Sequence, residues 1–159
     1  MLFCCYCYCN FFILTASSQH YSIYIKDNRN STKLNYDYRL TKDSILVQGV
    51  SDLGEKRVDF VKRALKKKEK KRLNKFIATY PLDTIREYYF ADYVNYENIS
   101  AENFPRLFET ELMINGKEVK TKITNCYVNV YATLFEHINR LIPEPVRITY
   151  DKSKFKEFY

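Results

Sequence analysis

The sequence predicts an α+β fold, an antiparallel sheet of short strands and hairpins with about two helices packed on one face. Short segments of alternating apolar and polar residues fill the first half of the chain, as in half-buried strands. An Asn-Gly dipeptide at 115–116 separates two further alternating runs, which is typical of a two-residue hairpin. Two later segments have apolar residues at helical spacing. Strands in runs with separate helices favour this class over alternating βαβ units.

The composition is that of one globular domain. The chain has 159 residues with three glycines, four prolines and 16% aromatic residues, which argues against disorder and is enough for one hydrophobic core. We therefore predict a single domain over residues 19–159, preceded by a leader over residues 1–18. We expect this domain to be a monomer.

The leader resembles an export signal. No charged residue lies between Met1 and Leu14, and small residues follow, with Ala16 and Ser18 at the minus-three and minus-one positions for cleavage. No Lys or Arg precedes the apolar run, so the basic part of such a signal is missing. The run is shorter than the roughly 20 residues of a membrane span. We predict cleavage after Ser18 and a secreted or periplasmic protein.

The five cysteines point to no metal site. Those at 4, 5, 7 and 9 are crowded within the leader, without a nearby histidine to complete a tetrahedral zinc site. Once the leader is removed, Cys126 is the only cysteine. It then has no partner in the chain for a disulfide, and we predict a small buried residue.

Strands are predicted directly after the leader. Tyr21, Ile23 and Ile25 alternate on one face, residues 27–32 form a polar turn, and alternation resumes over 34–40. A further apolar run over 45–50 completes a three-stranded antiparallel meander. Residues 58–65 fit either period poorly, and we favour a strand there over the start of a helix.

The first helix is predicted from Lys66 to the proline at 81. Its apolar residues recur at spacings of three and four, and Pro81 ends it: Leu73, Phe76, Ile77 and Tyr80. An apolar and aromatic segment follows over 82–93, before a polar connection that ends at Pro105.

The segment RLFETELMINGKEVKTKIT, residues 106–124, predicts a hairpin with a defined register. Pairing Ile114 with Lys117 across the turn places apolar residues together on one face: Leu112 with Val119, and Phe108 with Ile123. The same register pairs opposite charges on the other face: Glu111 with Lys120, and Glu109 with Lys122. A shift of one residue would bury these charges.

A second helix is predicted between Asn125 and Pro143. Its apolar residues again have helical spacing: Val130, Leu134, Ile138, Leu141 and Ile142. The segment VRITY, residues 146–150, is predicted as a short final strand.

The strongest charge feature is the segment 56–75. It holds eleven Lys or Arg residues against Asp59 and Glu69, in a chain whose net charge is +7. Such a patch suits an anionic partner, with Lys66, Lys67, Lys70 and Lys71 as candidate binding residues. The alternative is the solvated face of an amphipathic helix, because these lysines lie mainly opposite Leu73 and Ile77. The absence of stacking aromatics between Val61 and Lys75 argues against specific nucleic-acid recognition.

A second candidate surface is tyrosine-rich. Residues 88–96 hold four tyrosines, and this residue type is common in binding surfaces. We name Tyr88, Tyr89 and Tyr93 as candidates. The alternative is that these rings cover the open face or an edge of the sheet.

The residue inventory favours a non-enzymatic protein. The two histidines, His20 and His137, lie beside the predicted cleavage point and beside an apolar helix stripe. No G-x-S-x-G, G-x-G-x-x-G or G-x-x-x-x-G-K-[ST] motif occurs. We therefore predict no catalytic residue, no cofactor and no metal.

Four segments together resemble a group of small bacterial secreted or lipoprotein-type proteins of uncharacterised function: 41–54, 81–90, 111–129 and 134–155. The resemblance implies export and covers most of the mature chain, and no functional residue carries over from it. Lipoproteins of this style have a cysteine where this chain has Ser17, which argues against a lipid anchor.

These observations lead to one functional hypothesis and two alternatives. The first is an exported, non-enzymatic binding or interaction module of the cell envelope, whose partner is an unknown protein or an anionic surface. The second is polyanion binding as the main task, through the segment 56–75. The third is a small hydrolase whose site the sequence does not reveal.

Overall fold

The computed structural model describes residues 19–28, 34–51, 56–90, 107–154 and 156–157. In chain order the elements are β1 (Tyr21–Asn28), β2 (Asn35–Thr41), β3 (Ser44–Val50), β4 (Arg57–Ala64), α1 (Lys67–Ala78), β5 (Tyr88–Phe90), β6 (Leu107–Ile114), β7 (Lys117–Thr124), β8 (Cys126–Tyr127), α2 (Asn129–Asn139) and β9 (Lys156–Glu157). Short 3-10 turns lie at Leu82–Thr84, Glu144–Val146 and Lys152–Lys154. The predicted α+β class is confirmed.

Seven strands form one sheet in the order β4-β3-β2-β1-β6-β7-β5. Neighbours are antiparallel, except that β5 runs parallel to β7. The predicted meander of β1, β2 and β3 is confirmed, and β4 continues it at one edge. The preference for a strand near 58–65 is also confirmed. The short strands β8 and β9 form a separate parallel pair.

The β6–β7 hairpin has the predicted register. Ile114 pairs with Lys117, and the cross-strand pairs follow outward to Phe108 with Ile123. Asn115 and Gly116 occupy the turn with φ values of 50° and 83°. Both values are left-handed, as a type I′ turn requires, and this explains the Asn-Gly dipeptide at the turn.

One face of the sheet is buried beneath the two helices. Phe108 of β6 packs on Phe135 of α2, with ring centroids 5.1 Å apart. Thr110 Oγ1 donates a hydrogen bond of 3.0 Å to Tyr131 Oη. The helices also contact each other, because Phe76 of α1 stacks on His137 of α2, and the Tyr80 hydroxyl just after α1 donates to the Val130 carbonyl at 3.3 Å. The sheet, α1 and α2 therefore share one core.

The predicted final strand over 146–150 is wrong. Val146 ends a 3-10 turn, and residues 147–150 carry no strand assignment. The apolar alternation of this segment does reflect burial, because Val146 and Ile148 are both buried. However, the Asn139 side chain bonds to both the N–H and the carbonyl of Ile148, at 2.8 and 2.9 Å. These bonds to α2 replace the ladder that a strand would need.

The second helix is shorter than predicted at both ends. Before it, Cys126 and Tyr127 form β8. After Asn139 the Leu141 N–H bonds to the Ile138 carbonyl at 2.8 Å, the tighter pattern of a 3-10 turn. Leu141 and Ile142 are nevertheless buried, so their apolar character reflects core contact outside the helix.

Candidate functional site: the basic face of α1

The basic segment spans two elements, since residues 57–64 form β4 and residues 67–78 form α1. Leu73 and Ile77 of α1 are buried, and Phe76 is partly buried against the core. Their spacing of three and four places them on one side of the helix. The remaining sides of the helix are therefore left to its charged residues.

Glu69 fastens the start of α1 to β4. Its carboxylate accepts two hydrogen bonds from the Arg63 guanidinium, at 2.8 and 2.9 Å, and one from the Lys66 backbone N–H at 2.7 Å. These bonds, led by that from Arg63, lower the pKa of Glu69 to about 2. Arg63 also donates to the Leu141 carbonyl at 2.8 Å. This cluster is structural, because each charge in it is paired.

Lys70 is also paired. Its Nζ lies 2.6 Å from Oδ1 of Asp43, in the turn between β2 and β3. The hydrogen bond from Lys70 lowers the pKa of Asp43. The Leu65 N–H donates to the Asp43 carbonyl at 2.8 Å as well. Of the four predicted lysines, Lys70 thus joins α1 to the meander, whereas Lys66, Lys67 and Lys71 are exposed.

Six basic side chains on and beside α1 share two properties. They are exposed, and none forms an ion pair with an acidic residue in the part of the chain that the structure describes. We call them the basic face: Lys66, Lys67, Lys68, Lys71, Arg72 and Lys75.

The basic face contains like charges at the spacing where helical side chains meet. Lys67 lies four residues before Lys71, Lys68 four before Arg72, and Lys71 four before Lys75. Each such pair destabilises a helix by about 0.2 to 0.5 kcal/mol. The burial of Leu73 and Ile77 and the Glu69 bonds therefore hold together a helix whose surface charges repel. An anion bound there would relieve this repulsion.

His137 lies in the seam between the two helices. Its ring stacks on Phe76 of α1, with centroids 3.9 Å apart and planes at 14°. Its Nδ1 is buried without a hydrogen-bond partner among the described residues. Burial, and then the charge of Arg140, lower the pKa of His137 below 6.5; Arg72 adds to this and Glu136 opposes it. No described residue therefore orients the ring through Nδ1.

The structure separates the three candidate tyrosines. Tyr88 is 66% exposed and pairs across β5 and β7 with Lys122. Tyr89 belongs to the core at 5% exposure, and its hydroxyl accepts a hydrogen bond from the Arg86 N–H at 3.0 Å. Tyr89 is therefore a packing residue. It differs from Tyr88 because neighbouring residues along a strand face opposite sides of the sheet. Tyr93 lies outside the described residues.

Sequence reasoning missed two features of the basic face. Lys68, Arg72 and Lys75 belong to it, and their position around the helix, on a different side from Leu73 and Ile77, was the available signal. The ion pair of Lys70 could not be predicted from neighbouring residues, because Asp43 lies 27 residues away in the turn between β2 and β3.

Within the described ranges, no group of three or more His, Cys, Asp and Glu residues is placed to hold a metal ion. Cys126 is buried, and this burial raises the pKa of its thiol to about 11. No helix in the described part of the chain has the length and apolar character to cross a membrane. Comparisons of the chain with protein-family models, curated proteins and solved structures found no match.

Proposed function

We propose that this protein is an exported, non-enzymatic binding module that binds an acidic polysaccharide through the basic face of α1. One observation carries the proposal: six exposed basic side chains cluster on and beside one helix, with no ion-pair partner among the described acidic residues. A polyanion would release its counterions on binding these charges and remove their mutual repulsion.

The chemistry of the basic face favours a flexible acidic chain over other polyanions. Five of its six cations are lysines, which act as point charges without the planar geometry of arginine. Among the described residues, the exposed large hydrophobic side chains lie outside α1, and Phe76 of α1 is partly buried against the core. The basic face therefore offers neither an exposed ring to stack on bases nor an exposed apolar anchor for lipid. Charge alone is then the recognition element.

The export part of the proposal is supported by the leader pattern and is compatible with the start of the sheet. β1 begins at Tyr21, three residues after the predicted cleavage point. The His20 carbonyl accepts a hydrogen bond from the Asn115 N–H at 2.8 Å. Cleavage after Ser18 leaves both features in place. The N-terminal sequence and mass of the native protein test it: a start at Gln19 is expected, and a start at Met1 contradicts it.

The binding part is tested by elution of the purified native protein from immobilised heparin, a sulfated polysaccharide, in a salt gradient. The double variant Lys67→Gln/Lys71→Gln should elute at lower salt, and its salt dependence should fall by about one counterion for each lysine. The matched control, Lys120→Gln/Lys122→Gln, removes the same charge from β7 and should elute close to the wild type.

Two results would contradict the proposal. One is a wild-type protein that heparin does not retain at low salt. The other is an equal effect of both double variants, which would indicate net charge and not the basic face. Vesicles rich in phosphatidylglycerol form a further arm, and binding to these but not to heparin would exclude the polysaccharide partner.

A further inference from the structure

The seam between α1 and α2 extends the positive surface beyond the basic face, and the inference drawn from it rests on the proposed function. Phe76 and His137 stack across this seam. Arg72 of the basic face and Arg140, the residue directly after α2, both act electrostatically on His137. Arg72 precedes Phe76 by four residues on α1, and Arg140 follows His137 by three residues at the end of α2, so each of the two stacked rings has an arginine one helical turn away.

The charges that act on His137 come from both helices. Arg72 belongs to α1, Glu136 belongs to α2, and Arg140 directly follows α2. Glu136 Oε2 lies 3.7 Å from Arg140 Nη2, so this carboxylate already forms an ion pair with an arginine. The stacked Phe76 ring contributes no charge. The seam thus has two cations and one paired carboxylate around a titratable ring.

We propose that His137 makes anion binding pH-dependent: an acidic group of the polysaccharide lies in the seam with Arg72 and Arg140, and protonated His137 provides a third positive charge. The ring is only part-buried, so its imidazolium remains within reach of an anion from solvent. Because Nδ1 is enclosed without a hydrogen-bond partner among the described residues, the second proton is costly in the free protein, and a nearby negative charge reduces that cost.

The direction of the effect follows from linkage. In the free protein, burial and the two arginines hold the pKa of His137 below 6.5. A bound anion offsets the arginines and raises this pKa, so the complex takes up a proton that the free protein does not hold. Binding therefore strengthens as the pH falls through the pKa of the complex, and it levels off below the lower pKa of the free protein. A rise of one pKa unit corresponds to a tenfold gain in affinity.

The test uses the two histidines of the chain, His20 and His137. Their imidazole proton signals are followed by NMR in a pH titration at low salt, with and without a heparin oligosaccharide. We expect the His137 midpoint to rise by about one unit with heparin, with a much smaller change for His20. An unchanged His137 midpoint in a sample that binds heparin would overturn the inference, and this measurement needs no variant.

Affinity measurements give a second readout. The wild type should bind heparin several-fold more tightly at pH 5.5 than at pH 7.5, with about tenfold as the upper limit for a rise of one pKa unit. His137→Gln should keep salt-dependent binding at pH 7.5 and lose most of this pH dependence, whereas His20→Gln should keep both. An equal pH dependence in His137→Gln would overturn the inference while leaving the proposed function intact. Absence of binding by the wild type at either pH would instead overturn the proposed function.

Discussion

Helix α1 and the β6–β7 hairpin are both rich in lysine, yet their charges are arranged differently. In the hairpin, Lys117, Lys120 and Lys122 are balanced by Glu109, Glu111 and Glu118. The register sets Glu109 opposite Lys122 and Glu111 opposite Lys120. In α1, Glu69 is the one acidic residue among six basic ones, and it is already bound to Arg63.

This difference separates charge that stabilises the fold from charge that is available to a partner. Opposed charges across a hairpin contribute roughly 0.2 to 1 kcal/mol for each pair. Like charges along a helix act in the opposite direction. The charges of the hairpin thus help to fix its register, whereas those of α1 weaken the helix that carries them. Only the second arrangement gains from an external anion.

The largest expected effect tests whether both regions depend on one core. Leu73 of α1 and Leu112 of β6 are both buried, at 1% and 0% exposure. Leu73→Ala and Leu112→Ala should each lower the free energy of unfolding by about 2 to 5 kcal/mol, because each leaves a cavity. Urea denaturation followed by circular dichroism measures this. A loss below about 0.5 kcal/mol for Leu73→Ala would show that α1 is not part of the common core.

Neutralising one carboxylate in each region should have a smaller effect on stability, and this effect should differ between α1 and the hairpin. Glu69→Gln should lower the free energy of unfolding at pH 7 by about 2 kcal/mol, because it removes charge-assisted bonds to Arg63 and Lys66. Glu118→Gln, an exposed position in β7, should change it by less than about 0.5 kcal/mol.

The same carboxylate predicts a pH dependence of stability. The pKa of Glu69 is about 2 in the folded protein against an ordinary value of 4.5. Its stabilising contribution is therefore complete above about pH 4.5 and is lost as the pH falls towards 2. Wild type and Glu69→Gln should converge in stability over this interval. A constant difference between them in urea unfolding at pH 6 and pH 3 would contradict this assignment.

Reversing the charge of one lysine should have the smallest effect on stability, and the sign of this effect should differ between α1 and the hairpin. Lys71→Glu replaces two repulsive helix pairs, with Lys67 and Lys75, by attractive ones and should stabilise the protein by about 1 kcal/mol at low salt. Lys120→Glu faces Glu111 across the hairpin and should destabilise it by a similar amount. Thermal unfolding at low and high salt measures both changes, and the differences should shrink at high salt. The same sign for both variants would remove the distinction between the regions.

Prediction from sequence succeeded where the information is local. The hairpin register follows from the Asn-Gly turn and the alternation on each side of it, and the structure has that register. The start of α1 near Lys66 and its end before Pro81 also follow from nearby residues. The final strand failed because Asn139, outside that segment, supplies the hydrogen bonds of Ile148.

The candidate site was predicted only in part for the same reason. The sequence located the basic segment, but it did not distinguish Lys70, which pairs with Asp43, from Lys71, which forms no ion pair with a described acidic residue. Tyr88 and Tyr89 were equivalent candidates until the pairing of β5 with β7 placed them on opposite faces of the sheet.

The sequence by itself determined the α+β class, the hairpin register and the concentration of positive charge over residues 56–75, because periodicity, turn residues and charge are properties of neighbouring residues. Only the tertiary structure decided which cations are neutralised, which tyrosine is buried, and that His137 lies against Phe76. Ion pairs, burial and pKa shifts depend on distances between residues far apart in the chain, and folding sets those distances.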